Sequence, residues 1–368
     1  MRRKNLIARK KANRNQFLKN KKIHYLYSKF KSIILKSIKN KSFALAVSGG
    51  PDSLCLAFFG KLYSLENNNR IKVLIVDHKL RKESKKEAIK VKKLLTQKKI
   101  PSRILSWKGK IPSKNIQKNA RDIRYSLLSD FCLKNKIKYL LTAHHEGDQI
   151  ENFFIRLSRG SGVSGLSSMS VYNSYSKNLK IIRPFLNFTK DDLKYATLKY
   201  FKNYIKDPSN KNEKFLRIKI RKLNKILMED KKIFDAKKIK KTINNLTLAK
   251  NALSFYKTKA MYKYTRFVPK KSSNGYEQKC TISKNIFLHE ADEIVFKLFS
   301  EVLSEVSKSY YPPRSKKILN LIDRLKIKKV HKSTLGGCIV ESDSNNIIIS
   351  KELNKRKISN QLKNKNFA

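Results

Sequence analysis

FALAVSGGPDS, residues 43–53, is the stretch that decides the fold. Residues 43–47 are small or apolar and read as a buried strand. Ser48-Gly49-Gly50-Pro51-Asp52-Ser53 is a tight turn, and the apolar pattern from about Asp52 onward reads as a helix. A glycine-rich turn between a strand and a helix leaves main-chain N–H groups free of Cβ obstruction and adds the positive end of the helix dipole, so it favours phosphate. A bare Gly-Gly pair is usually only a turn, but here Ser and Asp flank it and it sits between an apolar strand and an apolar helix. It has no Gly-Lys-Ser/Thr ending, so the lysine that grips a γ-phosphate in kinases and GTPases is missing.

Moving outward, short apolar runs alternate with helical patterns. KVLIV (72–76) is followed by a helix over 83–98, RILSW (103–107), and a helix carrying Ile116, Ala120, Ile123, Leu127 and Phe131. YLLTA (139–143), a helix over 148–158 and LKIIRPF (179–185) complete the series. Near-continuous apolar strands separated by amphipathic helices predict an α/β fold, a parallel doubly wound sheet covered on both faces. Ligands of such sheets collect beyond the carboxyl ends of the strands. Ser48–Ser53, Asp77-His78 and Ala143-His144-His145-Glu146-Gly147-Asp148 all follow predicted strands, so they are expected to share one edge.

After residue 188 the pattern becomes long basic helices (189–204, 212–230, 234–262) broken by the turn signal Asp207-Pro208-Ser209-Asn210. A polar stretch at Ser272-Ser273-Asn274-Gly275 reads as a linker or hairpin. Helices over about 290–307 and 313–325 follow, then the short runs CIV and IIIS joined by ESDSNN. The organisation expected is a basic N-terminal extension (1–40), the sheet domain (41–220), a helical region (221–285), a small α+β domain (286–354) and a basic tail (355–368).

At 368 residues the chain has room for two or three domains. Its 86 Lys+Arg against 27 Asp+Glu leave a formal charge of +59, which favours a nucleic-acid partner through counterion release. An AT-rich genome also enriches lysine, so charge alone does not establish RNA binding. Cys55, Cys132, Cys280 and Cys338 are far apart, without redox or zinc spacing, and read as buried reduced thiols. No apolar run approaches the roughly 18–20 residues of a membrane span, and MRRKNLIARKK has no apolar signal core, so no membrane association and a cytoplasmic location are expected.

The motifs together resemble the tRNA(Ile)-lysidine synthetases, members of the PP-loop ATPase superfamily. SGGPDS is similar to the pyrophosphate loop of enzymes that cleave ATP between the α- and β-phosphates. Asp77-His78-Lys79-Leu80-Arg81 with Ser84, Glu87 and Ala88 resembles the family's VDHxLRxxSxxEA segment. Asn115, Gln117, Ala120, Arg121, Arg124 and Tyr125 resemble its NxQxxARxxRY helix. HHEGDQIENFFIRLSRGSGVSGLSSM (144–169), Arg183-Pro184-Phe185-Leu186, DPSNKNEKFLRIKIR (207–221), YPPR (311–314) and TLGGCIV (334–340) extend the likeness over roughly residues 43–352.

That resemblance implies ATP-dependent ligation of L-lysine to the wobble cytidine of the isoleucine tRNA with anticodon CAU. The route is an adenylated cytidine, and lysidine, AMP and pyrophosphate are the products. ATP would lie against Ser48, Gly49, Gly50, Pro51, Asp52, Ser53, Asp77, His78 and His144, with Asp52 holding Mg²⁺ through the phosphates; helix capping is the bland role for Asp52. Asp148 and Glu151, three apart and so on one helix face, are the candidates for lysine positioning and proton handling, against a simple charge pair serving the helix dipole. Arg121, Arg124, Arg159, Arg217 and Arg221 are the candidates for tRNA phosphates. A homodimer is carried as an expectation.

Two departures stand out: the family's Asp-Asp is Gly147-Asp148 in this chain, and its Glu-Thr is Glu151-Asn152. The competing readings are therefore another PP-loop tRNA-modifying ATPase, such as a thiolase, and a catalytically impaired tRNA-binding homologue.

Overall fold

The computed structural model describes residues 17–80, 83–109, 116–176, 178–205, 216–229, 235–272, 275–309, 312–327 and 331–352. Arg81, Asn115, the 207–215 stretch, Ser273-Asn274, Tyr311 and the basic tail lie outside them, as does the side chain of Gln117. The chain divides into two compact units, residues 1–245 and 246–368.

The first unit holds a six-stranded sheet in the order β3-β2-β1-β4-β6-β5, formed by β1 (Phe43–Ala46), β2 (Ile71–Asp77), β3 (Ser102–Ser106), β4 (Tyr139–Leu141), β5 (Tyr172–Ser176) and β6 (Leu179–Ile182). All neighbouring strands run parallel except β5, which pairs antiparallel with β6. Side chains alternate across the sheet. Leu45, Val73, Ile75, Leu141 and Ile182 enter one core, while Ala44, Leu74, Leu140 and Ile181 enter another. Both faces are thus dry, which is why the strands read as continuous apolar runs.

On the first face pack α1 (Lys21–Leu35), α2 (Pro51–Asn67), α3 (Ser84–Gln97) and α7 (Lys190–Phe201). On the second lies α4 (Ile116–Lys134), through Tyr125, Leu128 and Cys132. Phe30, Phe58, Phe59 and Phe185 are fully buried in the first core, each burial stabilising by about 1.5–3 kcal/mol.

Helix α1 changes the expected organisation. Residues 1–40 read as an extension because of their charge, yet Ile23, Leu26, Tyr27, Phe30 and Ile34 form one buried stripe in the main core. Strand β5 was not expected either, since its YNSYS is polar and sits at the antiparallel sheet edge.

The rest of the unit comprises α5 (Glu146–Leu157), α6 (Val163–Leu166), α8 (Leu216–Glu229) and the start of α9 (Ala236–Tyr264), within which the division of the chain falls.

The second unit is an antiparallel sheet in the order β7-β8-β11-β10-β9, formed by β7 (Thr265–Ser272), β8 (Gly275–Ser283), β9 (Lys332–Leu335), β10 (Cys338–Ser342) and β11 (Asn346–Lys351). Helix α11 (Asp292–Ser307) and α12 (Ser315–Lys326) share its core; a single turn, α10 (Ile286–His289), precedes them. The expected boundary at 285/286 differs from this arrangement, because β8 pairs with β11, Ile282 opposite Ile347 and Cys280 opposite Ile349. Among the described residues no helix is long and apolar enough to cross a membrane.

Candidate active site

The turn after β1 is held by one hydroxyl. Ser53 Oγ accepts from the backbone N–H groups of Ser48 (3.1 Å) and Gly49 (3.0 Å) and donates to the carbonyl of Gly50 (3.0 Å). Gly49 has φ +91°, and a Cβ there would lie 2.5 Å from Cγ2 of Val91, so only glycine fits. Gly50 caps α2, Pro51 takes its first position, and Asp52 stands in its first turn, where the helix dipole favours negative charge. Thr197 Oγ1 donates to the carbonyl of Pro51 (2.6 Å), tying α7 to the loop.

Asp52 is the loop's one acidic group. Its Oδ1 is buried with no hydrogen-bond partner, an arrangement that fits an oxygen awaiting a cation or a ligand donor. Burial raises its pKa and nearby Asp148 adds to the rise, while His145 pulls against it.

Asp77 plays a different part. It is fully buried, and its Oδ1 accepts from Ser84 Oγ (2.7 Å) and the Lys79 N–H (3.1 Å), so it fixes the turn from β2 into α3. His78 Nδ1 accepts from the Leu80 N–H (3.4 Å).

After β4 the chain enters α5 through a reciprocal cap. His145 Nδ1 accepts from the Gly147 N–H (3.0 Å), and Asp148 Oδ2 accepts from the His145 N–H (3.0 Å). Nε2 of the same ring then lies 3.7 Å from Oδ2 of Asp52 and 3.8 Å from Oδ2 of Asp148. The Ser48–Ser53 turn and the acidic helix therefore face one rim of the sheet. His144 pairs with Thr142 (Nδ1 to Oγ1, 3.0 Å); burial, with Arg183, Arg121 and Arg217 adding to it, lowers its pKa to about 3, so its ring is neutral.

Asp148 and Glu151 meet two arginines of α8. Arg217 donates to Oδ1 of Asp148 (2.8 Å) and to Oε2 of Glu151 (2.7 Å), and Arg221 donates to Oε1 of Glu151 (2.5 Å). The i, i+3 carboxylates of α5 thus match the i, i+4 guanidiniums of α8. Burial pushes Asp148 upward, but His145 and Arg217 outweigh it and hold the carboxyl below its ordinary value. The two guanidiniums thus match the carboxylates of Asp148 and Glu151, and Asp52 lies across the His145 ring from them.

Of the remaining arginines, Arg121 lies near enough to the site to act on His144. Arg121, Arg124 and Arg159 are exposed, with Arg121 5.0 Å above the Tyr125 ring. Arg156 is half-buried; burial lowers its pKa, and Arg159 and Arg121 lower it further, so three positive charges lie close together. Sequence reasoning set His145 on the shared edge but left it out of the ATP contacts that the resemblance implies. The signal was its place before α5 with an Asp three residues on, a capping-box spacing with His in the Ser/Thr position.

All four cysteines are buried free thiols, and burial pushes Cys132 and Cys280 up to about 12. Neither is a ready nucleophile near neutral pH.

Comparison with known proteins bears on this geometry. The PP-loop domain family model matches residues 19–227. The tRNA(Ile)-lysidine synthase of Orientia tsutsugamushi (strain Boryong) is 35% identical over 323 residues, 86% of this chain and 71% of the relative. That of Wolbachia pipientis wMel is 35% identical over 85% of this chain and 71% of its own length. The Rickettsia prowazekii (strain Madrid E) protein of the same name is 30% identical over 90% and 75%. Among solved structures, the U34-tRNA thiolase NcsA from Methanococcus maripaludis has a TM-score of 0.51 at 18% identity, covering 61% of this chain and 79% of that one, a likeness of fold.

Proposed function

The chain belongs to the tRNA(Ile)-lysidine synthase family of PP-loop ATP-dependent ligases, and from that premise we propose that it joins L-lysine to the wobble cytidine of the isoleucine tRNA with anticodon CAU. The observation that carries the reading is the shared rim: the Ser48–Ser53 cradle and the Asp148–Glu151 helix meet at His145, whose Nε2 is 3.7 Å from Asp52 and 3.8 Å from Asp148.

In the first step O2 of the cytosine attacks the α-phosphorus of ATP. The new O–P bond forms as the bond to the bridging oxygen of the β-phosphate breaks, and pyrophosphate leaves. Backbone N–H groups at the start of α2 face the departing phosphates, where negative charge grows. The partnerless Oδ1 of Asp52 fits Mg²⁺, which when bound offsets charge on the phosphates.

In the second step the ε-amine of lysine attacks C2 of the base, the C2–O bond breaks and AMP leaves. A free ε-ammonium has a pKa near 10.4, so it must shed a proton before attack. Asp148 and Glu151 orient the cation and take up the proton. Arg217 and Arg221 hold the two carboxylates in place. Arg121, Arg124 and Arg159, with Arg217 and Arg221 at the rim, contribute positive charge toward tRNA phosphates. The product, lysidine, pairs with A in place of G, and the working compartment is the cytoplasm.

The test is tRNA-dependent AMP release with ATP, lysine and the cognate tRNA. Parent protein is expected to release AMP, and Asp52→Ala to abolish release while remaining folded by circular dichroism. Tight tRNA binding by the parent with no AMP release would instead favour the catalytically impaired reading.

A further inference from the structure

We propose that His145 is a positioning residue whose buried ring, standing between Asp52 and Asp148, spaces the ATP loop from the lysine-positioning helix, and that the absence of a side chain at Gly147 is what seats the ring there. The proposal rests on the function above.

The geometry leaves the ring little choice. His145 is only 5% exposed. Its Nδ1 accepts the Gly147 N–H at 3.0 Å, so Nδ1 carries no proton and the ring proton sits on Nε2. That N–H stands 3.7 Å from Oδ2 of Asp52, in the first turn of α2, and 3.8 Å from Oδ2 of Asp148, in the first turn of α5. The ring edge thus lies between two carboxylates that would otherwise repel each other. Asp52 Oδ2 thereby faces His145 while its Oδ1 stays partnerless.

Gly147 leaves the space that the ring occupies. A Cβ on this residue would lie 2.8 Å from Cε1 of His145 and 3.2 Å from Nδ1. Since the ring is buried, it could not swing clear without giving up the cap. This glycine, at the position where the family pattern that the chain resembles has the first of two aspartates, is therefore tied to the placement of His145.

Asparagine and glutamine separate the two duties of the ring. Asn places an acceptor near the Nδ1 position and keeps the cap, but has no group at the Nε2 position. Gln reaches the Nε2 position with a donor and gives up the cap. Full-length His145→Asn is expected to keep the parental melting temperature while kcat for tRNA-dependent AMP release falls roughly 10–100-fold, the usual cost of losing a group that orients the residues of a site, with KM for tRNA unchanged. His145→Gln is expected to melt lower and retain more of kcat. Gly147→Ala is expected to follow His145→Asn in kcat although alanine is the better helix former.

An ¹⁵N-histidine spectrum of the parent gives a readout independent of turnover. The His145 ring should show a protonated Nε2 and an unprotonated Nδ1, and the Nε2–H resonance should move in Asp52→Asn. An Asn variant as active as the parent would overturn the proposal. So would a proton on Nδ1, or an Nε2–H signal indifferent to Asp52. If the parent releases no AMP, the functional reading fails, and the ring spectrum still decides the assignment of His145.

Discussion

Removing Arg217 should destabilise the first unit in a way that an ordinary surface arginine would not. The guanidinium bridges Asp148 at 2.8 Å and Glu151 at 2.7 Å, and those carboxylates are only 14% and 9% exposed. Losing one member of a fully buried pair costs about 3–5 kcal/mol, whereas an exposed pair is worth about 0.2–1 kcal/mol. Arg217 is itself 39% exposed and Arg221 still holds Glu151, so Arg217→Ala is expected to fall between, at about 2 kcal/mol. For a unit of this size that corresponds to a drop of roughly 4–8 °C in Tm. Calorimetry of Arg217→Ala, Asp148→Asn and the double variant would measure it. Because the two residues touch, the cycle should show a coupling of about 1 kcal/mol or more. A single-variant loss under about 0.5 kcal/mol, the ordinary surface range, or strictly additive effects would refute the bridged-cluster account.

Asp148→Asn should impair lysine transfer more than adenylation, measured as separate half-reactions; equal loss in both would count against lysine positioning. His144 gives a pH signature, since its folded pKa is about 3 against an ordinary 6.5. Its contribution to stability is complete above about pH 6.5 and erodes as pH falls toward 3, so His144→Asn should flatten the slope of denaturation midpoints across that window. Asp148, held below its ordinary 3.8, adds stability above that value that is lost only as pH falls through its lower folded pKa. The affinity for tRNA should fall linearly on a log–log plot against salt with a slope of several units, as expected when several phosphates are neutralised; a flat response would contradict the role given to the arginines.

The strands that carry the site were legible because each is buried on both faces. FALA, IKVLIVD and YLL had no polar positions to confuse with surface, apart from Lys72 and the terminal Asp77. Strand β5 was not legible: YNSYS is an edge strand stabilised by pairing with β6 rather than by its own apolar content. Helix α1 shows a different failure. Its stripe of Ile23, Leu26, Tyr27, Phe30 and Ile34 has helical spacing, but lysines on the opposite face made the segment look like a solvated arm.

At the site, Ser48–Ser53 and Asp148–Glu151 could be read because local turn and helix chemistry fixes them. The partnership of Asp148 and Glu151 with Arg217 and Arg221 could not, since 66–70 residues separate them and no local rule selects among so many basic residues. Asp77 and His144 lie where the strand-end rule put them. Their observed bonds, however, are to Ser84, Lys79 and Thr142, contacts that hold loops in place.

The most direct test of the whole account is mass spectrometry of the wobble nucleoside after purified protein has been incubated with ATP, lysine and the CAU-anticodon isoleucine tRNA. Lysidine should appear with parent protein and be absent when ATP is left out or Asp52 is replaced by alanine. Unmodified cytidine from a folded, tRNA-binding parent, or lysidine formed undiminished by Asp52→Ala, would contradict it.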